Sequence, residues 1–279
     1  MSVKAIDVSY CQQNVDYKAV KASGIQAVIA RNGYLNKTDT EFNAHIKNAL
    51  AAGLDVGTYT YLMSKKPEDA AKEASQTVKR LEAFKGKITY PVFADMESEK
   101  YQTSRFDKQS RTDILLAFLK VIDKAGYYPA VYINPAWLEA YIDKTKIIGK
   151  YDIWLAAWTE NPNKATKFKY GQVMWQWGLD KVNGIKGQVD GDLVFIDYPK
   201  KVKNAGKNFL PRLQPVELAY EANVRSAPSI NGNIIKLLKP GAKCIVKVGT
   251  DTKDPVSGYV YIQLAGGDSQ WIVKSAIKP

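Results

Sequence analysis

A chain of 279 residues can bury one large core or two unequal ones, and 46% apolar with 24% charged residues describes a folded globular protein, not a disordered one. Lys and Arg number 40 against 28 Asp and Glu, a net charge of +12 that is shared between residues 1–205 (30 basic, 23 acidic) and 206–279 (10 and 5); such an excess favours a polyanionic partner, whether nucleic acid, an anionic membrane surface or an anionic wall polymer. Cys11 and Cys244 are too far apart in sequence to suggest a disulfide framework or a thiolate zinc site, and with His45 as the single histidine any hydrolytic chemistry falls mainly to carboxylates.

In chain order, short apolar strands alternate with helical patterns up to about residue 198. Strands are expected at Val3–Val8, Ile25–Ala30, Asp55–Tyr61, Tyr90–Asp95, Pro129–Asn134, Ile153–Ala157, Gln172–Trp177 and Leu193–Ile196. Between them Glu41–Ala52, Pro67–Phe84 and Lys108–Ala125 carry apolar residues at helical spacing, and Gly53, Gly86 and Gly126 follow as stop signals. His45 reads as a surface or half-buried residue of the first of these helices. Eight strands separated mostly by helices point to a parallel barrel, irregular after the fifth to seventh strands, where helix signals are weak. An open doubly wound sheet is the structural alternative, though no GxGxxG or phosphate-loop motif accompanies it.

From Tyr198 the pattern stops. Pro199, the basic stretch over 200–207, Pro211 and Pro215 read as a linker over 199–215. Beyond it, over 216–279, strands at Val216–Tyr220, Ile234–Leu238, Ala242–Val248, Tyr259–Leu264 and Gln270–Val273 lie between turn clusters and suit a small all-β barrel. No apolar run approaches the roughly 20 residues needed to cross a bilayer, so no membrane insertion is expected. The opening MSVKAIDVSYCQQ lacks a basic head, an apolar stretch and a cleavage site, so no signal peptide is expected either.

The chemistry concentrates at Asp95-Met96-Glu97, which closes the apolar run from Tyr90. Alternation puts Asp95 and Glu97 on one face of the strand, roughly 6.5–7 Å apart. Carboxylates this close to an apolar core push each other's proton affinities apart, and one protonated acid beside an ionised neighbour is what glycosidic bond cleavage requires. A solvated strand end running into Ser98-Glu99-Lys100 is the plainer alternative.

Further segments carry a resemblance. Ala5-Ile6-Asp7-Val8-Ser9-Tyr10, Gly24-Ile25-Gln26-Ala27-Val28-Ile29-Ala30-Arg31, Ala51-Ala52-Gly53-Leu54-Asp55-Val56-Gly57-Thr58-Tyr59, Asp95-Met96-Glu97, Val131-Tyr132-Ile133-Asn134, Ile153-Trp154-Leu155-Ala156, Trp175-Gln176-Trp177 and the stretch from Val182 to Asp190 resemble, in order, family 25 glycoside hydrolases. Ala222-Asn223-Val224-Arg225-Ser226-Ala227-Pro228, Lys239-Pro240-Gly241 and Gln270-Trp271-Ile272 are similar to a bacterial SH3-like wall-binding module. The resemblance implies an α/β chain with an irregular (β/α) TIM-like barrel followed by a small all-β SH3-like barrel. It implies an N-acetylmuramidase over 1–198, phage-endolysin-like, with bacterial peptidoglycan and anionic wall polymers as partners, a holin as exit route, and neither metal nor cofactor. The chain departs from the family's usual Lys and Glu after the second strand, where it has Arg31-Asn32, and from the aromatic–histidine pair common near Tyr59-Thr60-Tyr61.

The resemblance places Asp7, Asp95, Glu97 and Asp190 around one pocket. The residues agree for the first three, which close expected strands, whereas Asp190 precedes one, with Asp192 as its rival. Glu97 is expected as general acid, its proton affinity raised by Asp95 and by burial. Asp95 is expected to hold the substrate's 2-acetamido group as internal nucleophile, with Asp7 as base or nucleophile the alternative. Tyr59, Tyr61, Tyr132, Trp158 and Trp175 are candidate sugar platforms, Gln176 a substrate hydrogen-bonder, and Arg31 a partner for a site carboxylate. Tyr220, Arg225 and Trp271 are candidate wall contacts. Two other classes stand beside this reading: a catalytically inactive wall-binding protein, and a nucleic-acid binder, for which no recognition motif is present.

Overall fold

The computed structural model describes residues 2–97, 107–159, 170–207, 212–248, 252–265 and 270–278. They fall in two compact units, Met1–Phe209 and Leu210–Pro279. The first contains β1 (Val3–Val8), α1 (Tyr17–Ala22), β2 (Ala27–Tyr34), β3 (Lys37–Thr38), α2 (Phe42–Ala51), β4 (Asp55–Tyr61), α3 (Pro67–Leu81), β5 (Val92–Asp95), α4 (Lys108–Lys124), β6 (Pro129–Ile133), α5 (Pro135–Ala140), β7 (Asp152–Ala156), β8 (Met174–Asp180), β9 (Val189–Val194) and α6 (Tyr198–Asn204). Among the described residues no helix is long and apolar enough to cross a membrane.

Eight strands close a barrel in the order β1-β2-β4-β5-β6-β7-β8-β9, with β9 pairing back to β1 and β3 attached to β2 as a hairpin. Both faces of the strands are apolar, as buried barrel strands require. Ala5, Ile29, Phe93, Ala130, Trp154 and Met174 fill the interior. Their chain neighbours Ile6, Val28, Val92, Ala94, Val131 and Ile153 pack outward with residues of the helices.

The barrel is not wholly parallel. β9 runs antiparallel to both β1 and β8, because the connection over 181–188 is a turn around Gly184 and Gly187 that carries no crossover helix. The strand begins at Val189, ahead of the expected Leu193, so Asp190 lies within it.

The expected linker over 199–215 begins instead with α6. Asp197 caps this helix by accepting from Lys200 N at 3.0 Å, and Pro199 sits in its first turn, where a missing N–H costs nothing. Tyr198 and Val202 are buried in the interior cluster, the Tyr198 ring 5.1 Å from Tyr90 and 6.3 Å from Phe93. A chain ending at Asp197 should therefore be less stable than one ending at Lys207 by about 3–6 kcal/mol, the burial of two large side chains. Urea midpoints of the two chains check this, and equal midpoints would refute the assignment of α6 to the barrel.

The second unit is all-β, with β10 (Arg212–Glu217), β11 (Ala222–Arg225), β12 (Ile234–Leu238), β13 (Lys243–Val248), β14 (Thr252–Lys253), β15 (Val260–Gln263) and β16 (Trp271–Val273). β10 pairs with β13, and a five-stranded sheet runs β12-β11-β16-β15-β14 over a core that includes Leu218, Val224, Val246, Ile262 and Ile272. β11 and β14 are additions to the expected strands. Asp254 ties this unit's turns together, accepting from Ile230 N at 2.9 Å, Ser257 Oγ at 2.7 Å and Val256 N at 3.1 Å. These bonds, Ile230's first, hold its carboxyl down to about 2. A folded pKa below the unfolded one gives stability that is complete above about pH 4 and lost as pH falls toward 2. Asp254→Ala should lower this unit's melting temperature at neutral pH and flatten its acid dependence in that window; an unchanged acid transition would count against the role.

Candidate active site

The parity that fills the barrel also aims its carboxylates. Asp7 stands two residues past Ala5 and Asp95 two past Phe93, so both continue the inner face to the C-terminal mouth, where barrel enzymes keep their chemistry. The antiparallel β9 brings its N-terminal end to that mouth and sets Asp190 opposite Asp7. Gly191 is needed between Asp190 and Asp192, since a Cβ there would come within 2.7 Å of the Trp177 ring. Glu97 follows Asp95 and is half-buried; the polar segment Ser98-Glu99-Lys100 lies outside the described residues.

Burial is the leading cause of every carboxyl shift in the cluster, and every shift is upward. Asp7 is raised by burial and then by Asp190, against the hydrogen bond from Gln176. Asp95 is raised by burial, Glu97 and Asp7, against Arg31, and its Oδ1 is sealed from solvent without a hydrogen-bond partner. Glu97 is raised by burial and by Asp190, and it and Asp95 raise each other by mutual repulsion, as the sequence suggests. Carboxyls so coupled in a dry site cannot all ionise together without strong mutual repulsion.

Gln176 organises the site from its centre. Its Nε2 donates to Asp7 Oδ2 at 2.9 Å, while its Oε1 accepts from Tyr132 O–H at 2.9 Å and Trp158 Nε1 at 3.0 Å. All three partners are side chains of the site. Tyr59 and Tyr132 lean on Trp154, with ring centroids 6.1 and 4.5 Å away, and both feel the charges of Asp7 and Asp95. Trp158 is 62% exposed at the mouth. Trp175 does not join them: its indole is fully buried and donates to Ala157 O at 2.7 Å, because it alternates with the inward Met174 and Gln176.

Beside the carboxylates a cavity of about 550 Å³ is lined by Tyr10, Arg31, Tyr34, Lys37, Asp39 and Tyr61 among others. Arg31 pairs there with buried Asp39 through Nε at 2.8 Å and Nη2 at 2.7 Å, and lies 4.8 Å over the Tyr10 ring. Its ion pair is thus with Asp39 and not with a carboxylate of the cluster. Sequence reasoning missed Tyr10 and Asp39; Tyr10 was findable, since it stands two residues past the end of β1. It also placed His45 too near the surface. His45 is 3% exposed, its Nε2 donating to Ser9 O at 2.9 Å and its Nδ1 accepting from Tyr17 O–H at 2.7 Å, which makes it a strut.

In the second unit Tyr220, 68% exposed, lines a groove of about 300 Å³ with Arg225, Ile230, Tyr259 and Tyr261. Arg225 spends its guanidinium on Ile230 O at 2.8 Å and Gly232 O at 2.9 Å, bracing the turn after β11. Trp271 is half-buried on β16 and is not among the groove's lining residues.

A β/α barrel with acidic residues converging at the C-terminal mouth is the frame of a carboxylate-dependent glycoside hydrolase. A family model, "Glycosyl hydrolases family 25", matches residues 6–185, and the chain belongs to that family. It is 35% identical to the autolytic lysozyme of Clostridium acetobutylicum over 80 residues, 28% of this chain and 25% of that protein. It superposes on the modular autolysin LytC of Streptococcus pneumoniae, solved in complex with a synthetic peptidoglycan ligand, with a TM-score of 0.61 and 25% identity over 69% of this chain and 46% of LytC. The match thus spans under half of LytC and a quarter of the autolytic lysozyme. The spore cortex lytic enzyme SleM of Clostridium perfringens shares the fold over 98% of both chains, at 16% identity and a TM-score of 0.64.

Proposed function

We propose that the barrel is a peptidoglycan hydrolase, an N-acetylmuramidase cutting the β-1,4 bond between N-acetylmuramic acid and N-acetylglucosamine, and that the second unit is an SH3-like wall anchor. The observation that carries the reading is the convergence of Asp7, Asp95, Glu97 and Asp190 on one mouth, with Glu97 half-buried and its carboxyl raised. Family membership and the lysozyme and autolysin relatives support the substrate class.

In this scheme Glu97 protonates the leaving oxygen, and Asp190 helps keep that proton in place. Asp95 holds and polarises the 2-acetamido group, whose oxygen attacks the anomeric carbon; water then opens the resulting oxazolinium with Glu97 now acting as base. Asp7, fixed by Gln176, offsets positive charge that grows at the anomeric carbon. Tyr59, Tyr61 and Tyr132, with Trp158 at the rim, supply flat faces for sugar rings. On purified, lipid-free peptidoglycan the protein should cause turbidity to fall; an inactive wall binder or a nucleic-acid binder would leave it unchanged.

The anchor is proposed from the groove at Tyr220 and from the 10 basic against 5 acidic residues over 206–279. A chain ending at Lys207 should keep the chemistry yet lyse whole cells less well, having lost the effective concentration that tethering supplies. Residues 208–279 should co-sediment with target walls and release as salt rises, the Debye length falling from about 10 Å at 0.1 M to about 3 Å at 1 M. No sedimentation at any salt would end the anchor proposal.

A further inference from the structure

Asp192 is the deepest carboxyl of the site and the one the scheme above leaves idle. It is 1% exposed on β9, opposite Ala5 of β1 and Gln176 of β8, one inward step below Asp190. Its Oδ1 accepts from Trp154 Nε1 at 2.7 Å. Its Oδ2 is sealed from solvent and meets no N–H or O–H donor, while the Asp192 carboxyl as a whole lies within hydrogen-bonding reach of the Asp7 carboxyl.

Two ionised carboxylates in contact inside a dry barrel repel strongly unless a cation or a proton joins them. The charges facing the pair are Asp190 on β9, Asp95 and Glu97 at the end of β5, the phenols of Tyr59 on β4 and Tyr132 on β6, and Arg31 on β2. Among the described residues Arg31 is the only cation of this set, and Asp39 already binds it, so a shared proton is what remains to join the two carboxyls. Gln176 shows on which side. Its Oε1 is occupied by two donors, so its Nε2 must donate, and Asp7 Oδ2 must accept. Asp7 also stands at the mouth, where developing positive charge on a substrate favours its anion, whereas Asp192 faces only the interior.

We propose that Asp192 is a positioning residue that carries the shared proton and donates it as a hydrogen bond to Asp7, so that Asp7 meets the substrate as a carboxylate held by two donors, Asp192 and Gln176. The inference rests on the glycoside hydrolase reading of this site. Trp154 completes the device, since its indole N–H holds Oδ1 of Asp192 and with it the orientation of the carboxyl.

The test uses the full chain and soluble glycan fragments, with Asp192→Ala and Asp192→Asn compared with wild type. Asp192→Ala removes a hydrogen bond to a charged group and should lower kcat about tenfold or more with little change in KM. Asp192→Asn restores a donor toward Asp7 and an acceptor for Trp154, and should recover kcat to within about threefold of wild type. It should also remove any alkaline loss of activity that comes from ionising Asp192 beside Asp7. If Asp192→Asn folds and binds walls yet loses as much activity as Glu97→Gln, Asp192 acts as an anion and the proposal is overturned; unchanged activity in Asp192→Ala overturns it equally. Should Asp192→Ala fail to fold, carboxyl carbon NMR of wild type, assigned by difference from Asp192→Asn, decides directly: a neutral carboxyl at about pH 6 supports the proposal, and an ionised one sinks it. A wild-type protein without glycosidase activity, or an active Glu97→Gln, would instead remove the reading of the whole site.

Discussion

Glu97→Gln should lower the rate of wall lysis by about 10²–10⁴-fold while folding and wall binding stay intact. The amide matches the acid in shape but has no proton of suitable acidity to give the leaving oxygen. The expected pH dependence follows from the cause of the shift. A general acid works in its protonated form, so a raised pKa extends activity upward in pH, and activity falls as pH rises through it. Burial and Asp190 both contribute to the raising. Asp190→Asn removes the second cause and should move the alkaline limb of the kcat profile to lower pH. A Glu97→Gln protein with more than about half the wild-type rate would take Glu97 out of this role.

Asp95→Asn should impair turnover more severely than Asp7→Asn, because the acetamido group needs Asp95 to orient and polarise it. The loss is again expected at about 10²–10⁴-fold. Stability should move the other way. A carboxyl whose folded pKa lies above the unfolded value is favoured when protonated, so its destabilisation of the fold grows as pH rises past the unfolded pKa. Asp95, 3% exposed and with an unpartnered Oδ1, is such a group. Asp95→Asn should therefore melt higher than wild type at neutral pH even as it loses activity, the trade expected of a strained site. Substrate assistance adds a demand on the glycan itself: de-acetylated peptidoglycan should be a poor substrate for the wild-type protein. Rapid cleavage of it would return direct attack to Asp7 or Asp95.

Where two apolar faces alternate along a strand, the chain could be read closely. β1 and β4 occupy Val3–Val8 and Asp55–Tyr61, and Asp7 and Asp95 follow from the parity of Ala5 and Phe93. Alternation alone does not say which face is inside. That is why Trp175 read as a sugar platform when it is its neighbour Gln176 that points into the site. Strand direction was equally hidden. β9 carries Asp190 and Asp192, and its antiparallel course depends on the turn over 181–188 replacing a helix. Punctuation misled at α6, where Pro199 starts a helix and the apolar pair Tyr198 and Val202 closes the barrel core. Asp190, which adds to the raising of Glu97 by Asp95 and burial, is distant in sequence and brought close only by barrel closure, so no local reading finds its contribution.

The sugar left at the new reducing end reports which bond is cut. Purified peptidoglycan digested by the full chain, reduced with borohydride and hydrolysed, should yield reduced N-acetylmuramic acid, with none above background in a Glu97→Gln digest. Reduced N-acetylglucosamine in its place, or turbidity loss with no new sugar end at all, would contradict the muramidase reading.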